Sequence, residues 1–409
     1  MRQTRALAAA IRAPALDTRV SGRAGSSLWT PAFSRLLAAG SAYGFAFSSF
    51  HLMPKYLAVE FGATPSQIGA VAGVFGLSSV LTSIAVGSCI DRVSRRRMFA
   101  ASALLLAATS LGFAMVHAMG PAIYMLRFVQ GIAFTMQMAT FSTLVAELAP
   151  AERLGEAVGL AGSSMLVMNA VAPAVDEPLA HAVGWSAAFV LAALLAIASA
   201  ILVLETNGAR RVLHDDRGSL LQVWKRSTTR IYGAVTLLTA IAFATMFTFL
   251  QPAALGAGYR NVSSFFVAYA SAACAVRLLA GWLPDRYGRH RVAVAAMVPY
   301  TLVVLWVAFE GPTSLVAIGG VFGLAHGVFF PALNSLALEH TRPSERGRLM
   351  TVFAGTFNLG AWGAAAVLGP VIEIAGYPAL FGIGAACAAS SLVLLARTKS
   401  FTLPGRDRA

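Results

Sequence analysis

The stretch Gly87-Ser-Cys-Ile-Asp91-Arg92-Val-Ser-Arg95-Arg96-Arg97 follows an apolar run from 66 to 88 that carries no formal charge. It returns in weaker form, after another apolar run, as Gly281-Trp-Leu-Pro-Asp285-Arg286-Tyr-Gly288-Arg289-His-Arg291, 194 residues later. A second pair, Pro150-Ala-Glu152-Arg153-Leu-Gly155 and Pro343-Ser-Glu345-Arg346-Gly347, repeats at an offset of 193 residues. Two unrelated loop motifs that recur at nearly one offset indicate a duplicated unit whose two copies share one orientation. Parallel repeats of this kind place a solute site at their interface, near the bilayer midplane.

The composition demands a bilayer as solvent. Of 409 residues, 57% are hydrophobic and only 12% charged, with a mean hydropathy of +0.71, beyond the range of soluble domains. Runs such as 99 to 122 and 189 to 204 hold no formal charge and approach the roughly 20 residues a helix needs to cross a ~30 Å hydrocarbon core. Apolar runs bounded by Gly, Pro and charge predict spans at 32 to 54, 66 to 88, 98 to 117, 121 to 145, 157 to 176 and 184 to 204. The second set falls at 231 to 255, 263 to 283, 291 to 310, 313 to 338, 348 to 373 and 377 to 396. The expected fold is therefore an all-α membrane protein of twelve transmembrane helices in two six-helix parallel repeats. Its parts are a basic tail (1–30), an N-terminal bundle (31–204), a linker (205–230), a C-terminal bundle (231–396) and a short tail (397–409). Within the linker, Leu220 to Trp224 reads as a short amphipathic piece lying on the membrane surface.

The net charge of +14 would suggest nucleic acid if the cations shared one surface. They do not. Lys55 and Arg260 fall in loops on one side and Arg127 and Arg277 inside spans, while the other Lys and Arg occupy the tails, alternate loops or, for Arg35, a helix end. That asymmetry follows the positive-inside rule and predicts two cytoplasmic termini, excluding nucleic-acid binding. Cys89, Cys274 and Cys387 lack metal-like spacing, so neither a disulfide framework nor a metal is expected. The Arg-rich first 28 residues lack an apolar h-region and read as a cytoplasmic tail, with a transit-like segment as the alternative.

With these residues in view, the chain after residue 30 resembles the major facilitator superfamily, whose G-x-x-x-D-R-x-x-R-R signature is matched at Gly87, Asp91, Arg92, Arg95 and Arg96. Gly281, Asp285, Arg286 and Arg289 echo it. The resemblance implies a conformational latch: the glycine lets helices approach, and the carboxylate faces a helix N-terminus and pairs with an arginine. Arg127-Phe-Val-Gln130-Gly131 resembles the R-x-x-Q-G motif of proton-coupled drug and metabolite exporters of the arabinose-efflux-permease type. An unpaired intramembrane arginine costs at least ~2.5 kcal/mol. Arg127 is thus read as a proton relay or anion contact, against the plainer reading of a snorkelling or structurally paired side chain.

The fifth span departs from the exporter pattern. Where exporters carry G-P-x-x-G-G, this chain has Ala172-Pro173-Ala-Val-Asp176-Glu177-Pro178, so two adjacent carboxylates offer another proton site or, alternatively, solvated charges at the span's end. Exporters of this type also place an acid on the first span, absent here, with His51, Glu177 or Glu373 as substitutes. His51 is read either as a titrating imidazole or as a packing residue. His326, Asn334, Asn169 and Asn358 line a cavity or bond between helices. Gly73, Gly76, Gly355 and Gly360 serve close helix contact, and Arg277 snorkels to the surface.

No P-loop, H-E-x-x-H or nucleophile triad is legible, so no enzyme and no cofactor are expected. The first expectation is a monomeric, proton-coupled exporter of small amphipathic molecules in the bacterial inner membrane. The alternatives are a symporter of a sugar or organic acid and a non-transporting sensor or lipid-handling protein on the same scaffold.

Overall fold

The computed structural model describes residues 27–89, 94–206, 220–339, 341–342 and 345–398. Among these every regular element is helical. Prolines open several helices, at Pro31, Pro65 and Pro121, where the missing N–H would have had no intrahelical partner anyway. At the first of them Thr30 Oγ1 also accepts from Phe33 N at 3.2 Å, supplying an N-cap.

In chain order the first half comprises α1 (Pro31–Ser48), a 3₁₀ turn (Ser49–Leu52) and α2 (Met53–Phe61), then α3 (Pro65–Cys89), α4 (Arg95–Ala114), α5 (Pro121–Leu148), α6 (Leu154–Val183) and α7 (Trp185–Leu204). A five-residue helix α8 (Leu220–Trp224) follows. The second half runs α9 (Ser227–Ala244), a π segment (Thr245–Phe249), α10 (Leu250–Gly256), α11 (Ser263–Ala280), α12 (Leu283–Tyr287), α13 (Arg289–Glu310), α14 (Leu315–Glu339), α15 (Arg346–Asn358), a second π segment (Leu359–Gly363) and α16 (Ala364–Arg397).

Among the described residues ten helices are long and apolar enough to cross a membrane, against twelve spans expected. Two segments account for the difference. The first expected span, which holds the 3₁₀ turn between α1 and α2, is not among the ten. The last two are joined into one 52-residue stretch, Arg346–Arg397, broken internally only where Gly376 takes φ 77°, ψ 175°.

Two expectations are corrected here. The fifth span does not stop at 176: α6 runs to Val183 with Pro173 and Pro178 inside it. Each proline removes one backbone donor, a loss tolerated in membrane helices because neighbouring groups satisfy the freed carbonyl. Asp176 and Glu177 are consequently 0% and 1% exposed, not solvated end charges. Lys55 likewise lies not in a loop but on α2, at 2% exposure, because the chain resumes helix after Leu52 and ends only at Gly62, whose φ of 58° suits a left-handed helix terminus.

The outer surface is apolar: Leu278, Leu279, Phe309, Val367 and Ile374 are 71 to 88% exposed. A water-facing surface rarely gathers so many, whereas lipid tails solvate them freely. Association of the helices must then come from close packing and polar contacts. Gly131 illustrates this, since a Cβ there would strike Ser78 Oγ and the Phe75 carbonyl of α3.

Candidate functional site

The two halves meet tightly at the end that carries Lys55. On α3, a Cβ at Gly69 or Gly73 would collide with Ala365 or Ala366 of α16, and one at Gly369 would meet Pro65. At the opposite end, near the 205–230 connection, Cβ atoms added at Gly155, Gly159, Gly162, Gly347 and Gly355 would meet nothing within 4 Å. The two halves thus pack closely at the Lys55 end. Gly73→Leu should therefore wedge the closed end apart at about 1–3 kcal/mol. Faster thiol labelling of a cysteine at Val71 in that variant checks this expectation, and an unchanged rate would contradict it.

The closed end is held by a buried polar cluster. Lys55 Nζ donates to Glu177 Oε1 at 2.5 Å and to the Arg260 carbonyl at 2.5 Å, and stands 3.1 Å from His181 Nε2. Glu177 also accepts from the backbone N–H groups of Val262 and Ser263, both at 2.8 Å. Helix α11 has no capping side chain of its own, so Glu177, from the other half, satisfies its orphan donors and faces its positive pole. The second half returns the contact: Glu373 Oε1 accepts from Ser66 N at 3.1 Å, at the start of α3. Glu177 and Glu373, 196 residues apart in sequence, thus form a reciprocal pair of helix caps between halves, the first buried with a lysine and the second exposed. Gln251 Nε2 adds a bond to the His51 carbonyl at 2.8 Å.

Below this lock lies a cavity of about 30 Å³ lined in part by His51, Arg127, Phe247, Thr248 and Trp362, room for roughly a single water. Arg127 is 5% exposed. Its Nη1 donates to Gln130 Oε1 at 2.8 Å and its guanidinium stands 4.8 Å from the Phe75 ring centroid. Arg127 Nε and Gln130 Nε2 are buried without a hydrogen-bond partner. His51 Nδ1 is 3.0 Å from the Ser48 carbonyl; a carbonyl only accepts, so the proton sits on Nδ1. The His51 ring touches Phe47, Phe247 and Phe266 at 5.7 to 5.8 Å between centroids.

Asp176 stands apart from this cavity. Its polar neighbour is the Ser49 hydroxyl, which also donates to the Phe45 carbonyl at 3.1 Å; neither carboxyl oxygen otherwise has a hydrogen-bond partner. Ser48 Oγ donates to Asn169 Oδ1 at 2.8 Å. In the second half His326 Nδ1 is 2.8 Å from Tyr269 Oη inside an aromatic cluster with Phe243 and Phe322. Asn358 Nδ2 reaches Ser79 Oγ across the halves at 3.3 Å.

Of the motif that opens the sequence analysis, Gly87 falls within α3, and Asp91 and Arg92 lie outside the described residues. Arg95 forms a buried ion pair with Glu147, and Arg96 donates to the Thr206 carbonyl. In the echo, Gly281 ends α11 and Arg289 pairs with Glu339 at 2.8 Å and with exposed Asp285 at 3.7 Å. The Arg286 guanidinium covers the Trp282 and Tyr287 rings. Arg95–Glu147 and Arg289–Glu339 are thus one ion pair occurring twice, each joining the start of one helix to the end of the next within a half. Sequence reading missed Glu147, Glu339, Lys55, His181 and Gln137, the last buried with both amide atoms unpartnered. The repeat offset near 194 is the signal from which the two glutamates could have been found.

Comparison with known proteins agrees with this architecture. The Major Facilitator Superfamily model matches residues 36–259 and 232–408. A protein of Bacillus subtilis (strain 168) described as a niacin/nicotinamide transporter is 25% identical over 75% of this chain and 72% of its own length. A homologue of the multi-drug resistance efflux pump PmrA in Lactococcus lactis is 24% identical over 83% of this chain and 85% of its own. A mutant form of the nucleoside transporter NupG superposes with a TM-score of 0.77 at 16% identity, covering 90% of this chain and all of that one; at that identity the likeness speaks for the fold. The chain is a multi-pass membrane transporter, not an enzyme, and belongs to the Major Facilitator Superfamily.

Proposed function

We propose that this protein is a proton-coupled exporter of small amphipathic molecules that works by alternating access across the bacterial inner membrane. It acts as a monomer of twelve spans with both termini in the cytoplasm. The count of twelve is supported by length: Arg346–Arg397, at 1.5 Å per residue, would extend about 78 Å, more than twice a ~30 Å core, so Gly376 divides two spans. Residues 31–61, with their internal turn, supply another. The twice-occurring arginine–glutamate pair supports two like-oriented units.

The observation that carries the mechanism is the asymmetry of closure. The Lys55 end is sealed by a buried ion pair and reciprocal helix caps, whereas the glycines near the linker end lack close neighbours, which supports one of two access states. Asp176 carries the proton. It is buried beside Ser49, on the same helix as Glu177, so its protonation is coupled to whether opening of the lock admits water. A proton changes the balance of states only through differential affinity for them, and a carboxyl beside the moving seal supplies that difference.

Similarity to an efflux pump favours export. Similarity to a niacin/nicotinamide transporter, together with an Arg127 that has no acid on the first span as partner, favours the second reading, a symporter of an organic acid. Purified protein in liposomes carrying an internal pH dye, challenged with cationic drugs, sugars and organic anions, tests both. Counter-movement of protons and solute is expected; co-movement would establish symport, and solute movement without any proton flux would remove proton coupling.

A further inference from the structure

The ammonium in the lock has one partner for each of its protons. Lys55 Nζ donates to Glu177 Oε1 and to the Arg260 carbonyl, both at 2.5 Å, which leaves one N–H for His181 Nε2 at 3.1 Å. An ammonium has three donors and no acceptor, so in this contact the imidazole accepts. Nε2 therefore presents a lone pair, and the ring proton sits on Nδ1. The helix itself brings the two acceptors together: Glu177 and His181 are four residues apart on α6 and share one face, a turn apart.

The three side chains differ in their access to water. Lys55 and Glu177 are 2% and 1% exposed, whereas His181 is exposed. A proton from solution on this side thus reaches His181 while the lock is shut. Among the described residues Lys55 is its one hydrogen-bond partner. The charged groups around it are Lys55 on α2, Glu177 on α6 and Arg260, whose carbonyl shares the ammonium, in the connection before α11. The first turns of α7, from Trp185, and of α11, from Ser263, also begin at this end and carry no charge. Glu60, His117, Glu310 and Glu373 lie at this end but make no hydrogen bond or ion pair with His181.

From this geometry we infer that His181 is a proton-binding site in its own right, separate from Asp176, and that its protonation from the Lys55 side releases the lock. Histidine is the side chain that ordinarily changes charge between about pH 5 and about pH 8. A proton on Nε2 removes the acceptor and sets an imidazolium 3.1 Å from an ammonium. Like charges so close disfavour each other, and the buried ammonium keeps one donor unmatched, which is costly away from water. Opening hydrates both cations. The closed form accordingly admits only the neutral ring while the open form admits both, and the proton shifts the balance through that differential affinity. Closure is favoured at high pH and is lost as pH on this side falls. This role for His181 rests on the two-state reading of the lock, and not on the direction of transport or on the part given to Asp176.

Spin labels at Val59 and Thr313 in the full-length protein in nanodiscs, with pulsed distance measurement at about pH 8 and about pH 5, test this. The share of molecules at the longer distance is expected to rise about tenfold or more on acidification, for the loss of one charge-assisted hydrogen bond. His181→Gln keeps an acceptor oxygen without a titrating group, so it should stay closed at both pH values. His181→Phe removes the acceptor and adds no charge, and should be partly open to the same extent at both. Asp176→Asn should retain the acid response. A parent whose distances ignore pH, a response that survives in His181→Gln, or one lost in Asp176→Asn would each overturn the proposal. Glu177→Gln distinguishes this from failure of the lock itself. A longer distance there beside a pH-insensitive parent overturns the histidine site alone, and no change in either removes the lock.

Discussion

Glu177→Gln is expected to open the Lys55 end. The carboxylate accepts one bond from Lys55 and two from the backbone of α11, whereas the amide keeps a single acceptor oxygen and no charge. What remains is a lysine at 2% exposure without its counter-ion. Removing one partner of a buried pair costs on the order of 3–5 kcal/mol, and 1.4 kcal/mol is a factor of ten. The ratio of closed to open molecules should therefore fall by roughly 10² to 10³. Spin labels at Val59 and Thr313, one on each half near this end, should report a longer distance in Glu177→Gln than in the parent. An unchanged distribution in folded protein would remove the lock from the mechanism. The double variant Lys55→Met, Glu177→Leu provides a control, since a well-packed apolar pair can replace a buried ion pair at little cost, and it should close again. Glu373→Gln, at an exposed cap without a lysine, should shift the distribution much less.

Asp176→Asn is expected to separate transport from the proton gradient. An asparagine of the same shape fits the buried position and can still accept from the Ser49 hydroxyl through its amide oxygen, so folding should be spared. It cannot take up or release a proton, so flux driven by a pH difference should fall at least about tenfold, while exchange of labelled for unlabelled solute at equal pH persists. Parallel measurement of gradient-driven flux and exchange decides the matter. Loss of both would mark Asp176 as structural, and retention of both would place the proton elsewhere.

Most of the fold was legible because periodic apolar runs and loop motifs are local signals. Apolar runs that begin at or after the prolines at 31, 65 and 121 marked helices without any tertiary information. The misreadings, by contrast, were tertiary. A proline pair and two adjacent acids read as the end of a helix at 176, yet α6 continues because packing against other helices offsets what Pro173 and Pro178 remove. Lys55 read as a loop cation because its counter-ion lies 122 residues away in sequence and its carbonyl acceptor, from Arg260, 205 away. Arg127, Gln130 and His51 were singled out from sequence, and the structure places Arg127 and His51 around one cavity. That Glu177 and Glu373 would each cap a helix of the opposite half could not be read from either residue. It followed only once α3 and α11 were seen to begin beside them.

The lock also makes water a reactant. In the closed form the ammonium of Lys55 and the carboxylate of Glu177 are almost wholly dry, and separating them returns two ions to full hydration. Opening thus consumes solvent molecules in a definite number, and its equilibrium depends on water activity as a binding equilibrium depends on ligand. Osmolytes excluded from protein surfaces strengthen burial and would hold this end shut. A cell losing turgor would slow this carrier through the same two side chains that seal it.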